Sequence, residues 1–193
     1  MAKASTDPTD PPLGETLSTR RGFDGKLVHV RIDEVRLPSG RVTVRETVEH
    51  PGSVAIVGLT RDRQVLLLRQ SHHAIQRTLL GIPAGTLEPG ETPEACARRE
   101  LHEETGYRAG ALTELASYFT SPGYSDERMT IFRADDCEPV GGAIDPDELI
   151  RVTLVPLAEI SRLVAPEAGQ VQEAKTLIGL LMLLRGQEPK ADS

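Results

Sequence analysis

The chain has 193 residues, and its 29 acidic residues against 22 basic ones give a formal net charge of −7. This length suits one ordinary domain with a core of its own, with room for a small appendage. The net acidity excludes a nonspecific nucleic-acid-binding surface, which needs positive charge to displace counterions. A polyphosphate ligand is not excluded, because carboxylates can hold a metal ion that reverses the local field.

The two ends of the chain and its cysteines indicate the cellular context. Residues 1–16 are rich in Pro, Thr, Ser and Asp and predict a disordered leader, and residues 187–193 predict a disordered tail. The leader lacks the apolar segment of a signal peptide, and the longest apolar run is far shorter than the ~20 residues of a membrane span. Cys96 and Cys137 lack metal-ligand spacing and are expected to be reduced, structural thiols. We therefore expect a cytoplasmic protein with no membrane partner.

Hydrophobic patterning divides the rest of the chain into two regions. Between residues 17 and 50, short runs of alternating apolar and polar residues separated by turns predict a small antiparallel β-sheet. Residues 51–186 predict a larger region in which strands alternate with helices, as in an α/β or α+β sandwich. Its predicted strands are 54–59 and 65–69, which form a hairpin, and 79–83, 112–119, 128–134 and 150–154; its later helices are 157–164 and 171–185.

One further helix, Thr92–Thr105, has signals at both ends. Thr92 is a suitable N-cap, Pro93 fits the first helical position, and Gly106 fits the residue after the last turn. The sequence therefore predicts both the start and the end of a helix in the middle of the larger region.

Three glutamates lie at i, i+3 and i+4 near the end of this helix, namely Glu100, Glu103 and Glu104. Like charges at this spacing destabilise an isolated helix by roughly 0.2–0.5 kcal/mol per pair, and the helix dipole disfavours anions at this end. Two interpretations remain open from spacing alone: a solvated acidic face, or a cation site. Carboxylate oxygens suit Mg²⁺ or Mn²⁺.

The surrounding residues form a longer pattern. Residues 85–107 read G-x5-E-x7-R-E-L-x-E-E-x-G-Y. If only the two Gly, the four Glu and the Arg are counted, a chance match of these seven letters is on the order of 10⁻⁸ per start position at average residue usage. This pattern resembles the Nudix box. The segments 45–56, 82–85 and 117–127, with Pro122 fifteen residues after Tyr107, resemble those of the ADP-ribose pyrophosphatase subfamily.

The resemblance implies a fold and an activity. The fold is α/β, a Nudix α/β/α sandwich with a mixed sheet, preceded by a small N-terminal antiparallel β-sheet. The activity is Mg²⁺-dependent (or Mn²⁺-dependent) hydrolysis of the pyrophosphate bond of ADP-ribose to AMP and ribose 5-phosphate. Such relatives are homodimers whose N-terminal sheets complete each other's sites. The alternatives are a pyrophosphatase for another nucleoside diphosphate sugar, such as GDP-mannose, and a non-catalytic sensor of ADP-ribose.

The resemblance also implies roles for individual residues. The metal ligands are Glu100 and Glu104, with Glu103 and the carbonyl of Ala84. An internal Glu91–Arg99 pair braces the loop against the helix, and Gly85 and Gly106 serve backbone geometry. The general base is Glu148, with Glu103 as the competing candidate. The residues expected to contact substrate are Arg45, Glu46, His72, Ser121, Gly123 and Glu127.

Two positions depart from the subfamily's pattern. Where many relatives carry a phosphate-clamping Arg after Q-[FYM] in the second strand, this chain has His72, and His73 or Arg77 are the other candidates for that contact; exposed loop residues are the alternative interpretation. Where many relatives carry Glu before [IV]-P-A-G, this chain has Gly81, which removes an acid near the metals.

Overall fold

The computed structural model describes residues 9–142 and 149–186, and these form two compact units. The N-terminal unit comprises residues up to His50 together with Thr120–Glu127; the second unit comprises Pro51–Phe119 and the residues from Arg128 onwards. The division after His50 coincides with the boundary expected from sequence. The transfer of Thr120–Glu127 to the N-terminal unit does not follow from the patterning.

The N-terminal unit is a three-stranded antiparallel sheet. Its strands are β1 (Glu15–Asp24), β2 (His29–Arg36) and β3 (Val42–Glu49), in the order β1-β2-β3. β1 begins inside the segment that was expected to be a disordered leader, because Glu15 and Thr16 already pair with Arg36 and Val35 of β2. Residues 120–127 join the unit through the end of β3, where the Val48 amide donates to the Tyr124 carbonyl (2.8 Å).

The second unit contains an eight-stranded mixed sheet. Its path runs β11-β5-β4-β10-β8, with β6 on β5, β7 on β4 and β9 on β10; β4 and β10 are parallel and the other pairs are antiparallel. The predicted hairpin is confirmed by the pairing of Leu59 with Val65. The strands are β4 (Ser53–Thr60), β5 (Gln64–His72), β6 (Arg77–Gly81), β7 (Ala84–Thr86), β8 (Tyr107–Arg108), β9 (Leu112–Phe119), β10 (Arg128–Pro139) and β11 (Ile150–Pro156).

Helices cover both faces of this sheet. They are α1 (Pro93–Thr105), α2 (Ile160–Leu163) and α3 (Ala174–Arg185). Strand alternation places Ile56 in a buried cluster with Leu101 of α1, and Val57 in the other cluster with Leu180 of α3. The expected α/β/α sandwich with a mixed sheet is therefore confirmed, as is the separate antiparallel sheet. Among the residues described, no helix combines the length and hydropathy that crossing a membrane requires.

Several element boundaries differ from those predicted. The helix predicted at 157–164 is a 3₁₀ turn, Leu157–Glu159, followed by the single turn of α2. α3 begins at Ala174 rather than at residue 171, because Glu173 is still extended (φ −124°, ψ 128°). β6 ends at Gly81, before the predicted end of that strand, because the Ile82 amide donates to the Thr176 hydroxyl (3.0 Å) instead of to a ladder partner.

Both cysteines are buried free thiols, as predicted. Burial is the main cause that raises the pKa of Cys96 to about 12 and that of Cys137 to about 11. Because the thiolate is the reactive form, neither side chain is a nucleophile at neutral pH.

Candidate active site

α1 has the capping arrangement that its sequence predicts. The Thr92 hydroxyl accepts the Ala95 amide (3.3 Å), Pro93 occupies the first turn, and Gly106 adopts φ +71° while its amide donates to the His102 carbonyl. Gly106 therefore serves backbone geometry, as expected, because a side chain at a left-handed φ is strained. The caps fix the register in which α1 presents its acidic residues.

Arg99 is the centre of the acidic side-chain network on α1. Its guanidinium binds Glu91 through two hydrogen bonds (Nε–Oε1 3.0 Å, Nη2–Oε2 2.9 Å), and its Nη1 donates to Glu100 (2.6 Å) and Glu103 (3.0 Å). The hydrogen bonds to Glu91 are the main cause that raises the pKa of Arg99. The side chains of Glu91 and Glu100 are only 14% and 13% exposed, so Arg99 neutralises carboxylates that water cannot fully solvate.

Glu91 ties the preceding loop to the helix. Besides its two bonds from Arg99, its carboxylate accepts the amide of Glu88 (3.1 Å). The bonds from Arg99 lower the pKa of Glu91 to about 2, and the Glu88 amide adds to this effect. The structure thus brings together the internal acid–base pair that the sequence predicts.

Glu104 and Glu100 both lie against β7. Glu104 is 4% exposed, and its Oε2 accepts the amide of Ala84 (2.9 Å). The carboxyl of Glu100 covers Gly85 so closely that a Cβ there would lie 1.9 Å from Cδ of Glu100. Gly85 is thus required for this close approach, because it has no Cβ. The three helix glutamates do not share one solvated face, since Glu104 points inward and Glu103 is 53% exposed.

The carboxylates are held by hydrogen bonds from protein groups. Within residues 9–142 and 149–186, no three or more Asp, Glu, His or Cys side chains are grouped as a metal site. Arg99 donates hydrogen bonds to Glu100 and Glu103, and the Ala84 amide donates one to an oxygen of Glu104. The donor set nevertheless fits a hard divalent ion, because oxygens of Glu100 and Glu103 already converge on one cationic nitrogen beside the Ala84–Gly85 backbone.

The acidic residues of α1 could form a solvated surface or the conserved box of an enzyme family, and comparison with protein families distinguishes the two. The family model of the NUDIX domain matches residues 49–177, which is more than half of the chain. The chain belongs to the Nudix hydrolase family. Residues 85–107, which include the Arg99 network, are its Nudix box.

The relatives with which this Nudix chain shares most of its length include hydrolases of known substrate. It is 37% identical to the ADP-ribose pyrophosphatase of Bacillus subtilis (strain 168), over 88% of this chain and 91% of that protein. It is 34% identical to the methanol dehydrogenase activator of Bacillus methanolicus, with the same coverage of 88% and 91%. The crystal structure of an ADP compounds hydrolase matches with a TM-score of 0.80 and 27% identity, over 92% of this chain and 97% of that one.

Replacing Gly85 by Ala tests the contact with Glu100. We expect hydrolysis by this Nudix enzyme to fall by about 100-fold, because a displaced reacting group costs rates of this order. The free energy of unfolding should change by less than about 1 kcal/mol, equivalent to about 2–4 °C, because only the end of a flexible side chain must move. Thr86→Ala, at the next and exposed position of β7, is the matched control. Wild-type turnover in Gly85→Ala would show that the position of Glu100 is unimportant.

The residues expected to contact substrate fall in different parts of the chain. Arg45 and Glu46 lie exposed on β3 in the N-terminal unit. The same unit contains Ser121, Gly123 and Glu127, and the carboxylate of Glu127 accepts the Thr120 hydroxyl (2.7 Å). The box residues and His72 belong to the second unit. Glu148, the first candidate for the general base, lies outside the described residues.

His72 is a poor replacement for the clamping Arg of relatives. Burial, and then the positive charge of Lys175, lower the pKa of His72 below its ordinary value, so the imidazole is neutral at pH 7. Arg77 lies directly opposite His72 in the β5–β6 ladder and is exposed. Because directly opposed residues project from the same face of a sheet, Arg77 places a permanent charge on that face beside position 72.

Glu173 is a carboxylate near the candidate site that the sequence motifs do not predict. A Cβ on Gly81 would lie 2.7 Å from Oε2 of Glu173, so this carboxylate fills the space beside the position where many relatives carry Glu. The buried Thr176 hydroxyl donates to Glu173 (2.7 Å) and accepts the Ile82 amide, which links α3 to the segment before Ala84. The presence of Gly at position 81, where many relatives carry Glu, indicated that this part of the site differs. It did not identify Glu173, which lies more than 90 residues further along the chain.

Proposed function

We propose that this chain is a metal-dependent pyrophosphatase that hydrolyses ADP-ribose to AMP and ribose 5-phosphate. The observation that carries the proposal is the position of Glu100 and Glu104 beside the Ala84–Gly85 backbone, with Glu103 joined to Glu100 through Arg99, which Glu91 braces. The similarity to an ADP-ribose pyrophosphatase over most of both chains supports the choice of substrate.

Nudix hydrolases generally need a divalent metal ion. In this chain Glu100, Glu103, Glu104 and the carbonyl of Ala84 would hold Mg²⁺ or Mn²⁺. The ion would neutralise the diphosphate and lower the pKa of a bound water. Arg99 holds two of these carboxylates, Glu100 and Glu103, together through its hydrogen bonds, which limits the repulsion between them.

Two residues are proposed as the general base that activates the attacking water. Glu103 is the candidate within the described residues, and the 53% exposure of its side chain makes it accessible to water and substrate. Glu148 is the candidate that the subfamily resemblance favours. A base must come within hydrogen-bond reach of the proton that it removes, and an exposed glutamate on the last turn of α1 can change rotamer to do so.

Residues proposed to bind substrate occur in each unit. The permanent charge of Arg77 suits a phosphate oxygen of the substrate, whereas neutral His72 suits a hydroxyl or a water. Arg45, Glu46, Ser121, Gly123 and Glu127 are proposed to contact the adenosine part. Two exposed aromatic rings of the N-terminal unit, Phe23 (58% exposed) and Tyr124 (63% exposed), are candidates for stacking on adenine.

A cytoplasmic homodimer is the proposed assembly. Every residue of β1 is exposed, and the N-terminal unit also exposes the apolar side chains of Leu13, Leu27 and Val44. Where exposed apolar side chains form a large patch, that patch marks a protein–protein contact. A second copy that covers it is consistent with the completion of each site by the partner's sheet in related enzymes.

A substrate panel tests the proposed function. With Mg²⁺ present, we expect kcat/KM for ADP-ribose to exceed that for GDP-mannose, UDP-glucose and diadenosine polyphosphates by at least about tenfold, a difference of 1.4 kcal/mol in transition-state binding. The products are identified as AMP and ribose 5-phosphate by anion-exchange chromatography, with EDTA as the control. If GDP-mannose is the best substrate, the alternative nucleotide sugar is correct. Binding of ADP-ribose without turnover indicates a sensor.

A further inference from the structure

Three exposed arginines lie at one edge of the sheet in the second unit. Arg69 on β5 lies directly opposite Arg151 on β11, and Arg77 is the first residue of β6. In the part of the chain that the structure describes, none of the three forms an ion pair with a carboxylate.

Arg69 and Arg151 lie on the sheet face opposite α1. Strand alternation places Arg69 on the same face as Leu67, and Leu67 packs in the cluster that contains residues of α2 and α3. The residues that pack under α1, such as Leu66, project from the other face. The two arginines are therefore separated from the Nudix box by the thickness of the sheet.

A cavity beside these arginines is lined by both polar and apolar side chains. It measures about 450 Å³ and is lined by Arg69, Ser71, Thr78, Leu149, Ile150 and Arg151, which together we name the arginine groove. The hydroxyls of Ser71 and Thr78 lie 3.1 Å apart across the β5–β6 ladder. A second cavity of about 220 Å³ continues from Arg69 past Arg77 to Gln172.

The electrostatics of the arginine groove favour an anionic ligand. Like charges directly opposite each other on antiparallel strands destabilise a sheet, whereas opposite charges stabilise it. An anion between the two guanidinium groups would turn this repulsion into attraction. Guanidinium N–H groups and hydroxyls are all donors, and a phosphate offers several acceptor oxygens in a geometry that Arg binds through paired hydrogen bonds.

We propose that the arginine groove is a second ligand site, which binds the phosphate group of a small phosphorylated molecule between Arg69 and Arg151. The hydroxyls of Ser71 and Thr78 donate to the same group, and Leu149 and Ile150 contact the rest of the ligand. The site binds and does not hydrolyse, since the acids of α1 lie on the other face. This proposal is independent of the identity of the substrate at the Nudix box.

Calorimetric titration of the full chain tests the site. Inorganic phosphate, pyrophosphate and AMP are titrated in EDTA, so that no metal recruits them to the box. We expect saturable binding of phosphate-bearing probes to the wild type and a rise in Kd of at least about tenfold in Arg69→Gln/Arg151→Gln, because the variant loses the charged hydrogen bonds to the phosphate. Adenosine, which lacks the phosphate, should not bind.

A charge-matched variant completes the test. Arg162→Gln/Arg185→Gln removes two exposed arginines that do not line the groove, and its Kd should stay within about twofold of wild type, which is under 0.5 kcal/mol. Circular dichroism establishes that both double variants are folded. The proposal is overturned if the wild type binds none of the probes, if adenosine binds as well as AMP, or if the two double variants lose affinity equally.

Discussion

Replacing Glu104 by Gln is expected to lower kcat/KM for the nucleotide-sugar substrate by about three orders of magnitude. A metal ion contributes several kcal/mol to transition-state stabilisation, and about 4 kcal/mol corresponds to this factor. Gln can still accept the Ala84 amide through its side-chain oxygen, so the buried contact between α1 and β7 is preserved. The loss should therefore appear in turnover and in the dependence of the rate on Mg²⁺ concentration, with little change in Tm.

The matched control for this prediction is Glu94→Gln. Glu94 lies on the same helix and in the same box, but its side chain is 60% exposed and forms an ion pair with Arg98 one turn away. Removing its charge is expected to leave kcat/KM within about twofold, since exposed helix pairs of this kind contribute only tenths of a kcal/mol. If Glu104→Gln and Glu94→Gln have similar kinetics, Glu104 is not a metal ligand.

Replacing Arg99 by Met is expected to lower the free energy of unfolding by about 2 kcal/mol. The substitution leaves two poorly exposed carboxylates, Glu91 and Glu100, without their cation, and hydrogen bonds to charged groups contribute about 1.5–3 kcal/mol. For a protein of this size the corresponding fall in Tm is about 4–8 °C. Arg108→Met, which breaks the more exposed pair with Glu138, should lower Tm by less than half as much.

The pH dependence of stability gives Arg99→Met a second readout. In the wild type the pKa of Glu91 is lowered to about 2 from an ordinary value of 4.5. A lowered folded-state pKa stabilises the fold above pH 4.5, and this stabilisation is lost as the pH falls from 4.5 towards 2. Thermal melts of Arg99→Met should vary less with pH in this window. Equal slopes in both proteins would mean that Arg99 does not hold Glu91.

The parts of the active site predicted well from sequence are those governed by local rules. The caps at Thr92 and Gly106 fix α1, and helical periodicity then places Arg99 within reach of Glu103 one turn later. Alternating strands and helices predict an α/β or α+β sandwich, and the α/β/α arrangement with a mixed sheet is what the resemblance to the Nudix family implies. The caps and the helical periodicity depend only on residues close together in the sequence.

The features that sequence analysis missed depend on long-range contacts. Helical spacing alone does not reveal that Glu104 points inward to the Ala84 amide while Glu103 stays exposed, because this depends on where β7 passes the helix. The requirement at Gly85 is likewise a contact with Glu100 from a different element. The place of Thr120–Glu127 in the N-terminal unit depends on hydrogen bonds to β3, to which local patterning gives no clue.

The contact between Gly81 and Glu173 makes these two positions interdependent in evolution. Any side chain at position 81 must displace the Glu173 carboxylate, whose oxygen lies 2.7 Å from the site of the Cβ. Movement of that carboxylate disturbs Thr176 and, through it, the Ile82 amide. Residues in contact have non-additive mutational effects. The effect of placing at position 81 the Glu that many relatives carry is therefore expected to depend on the residue at position 173.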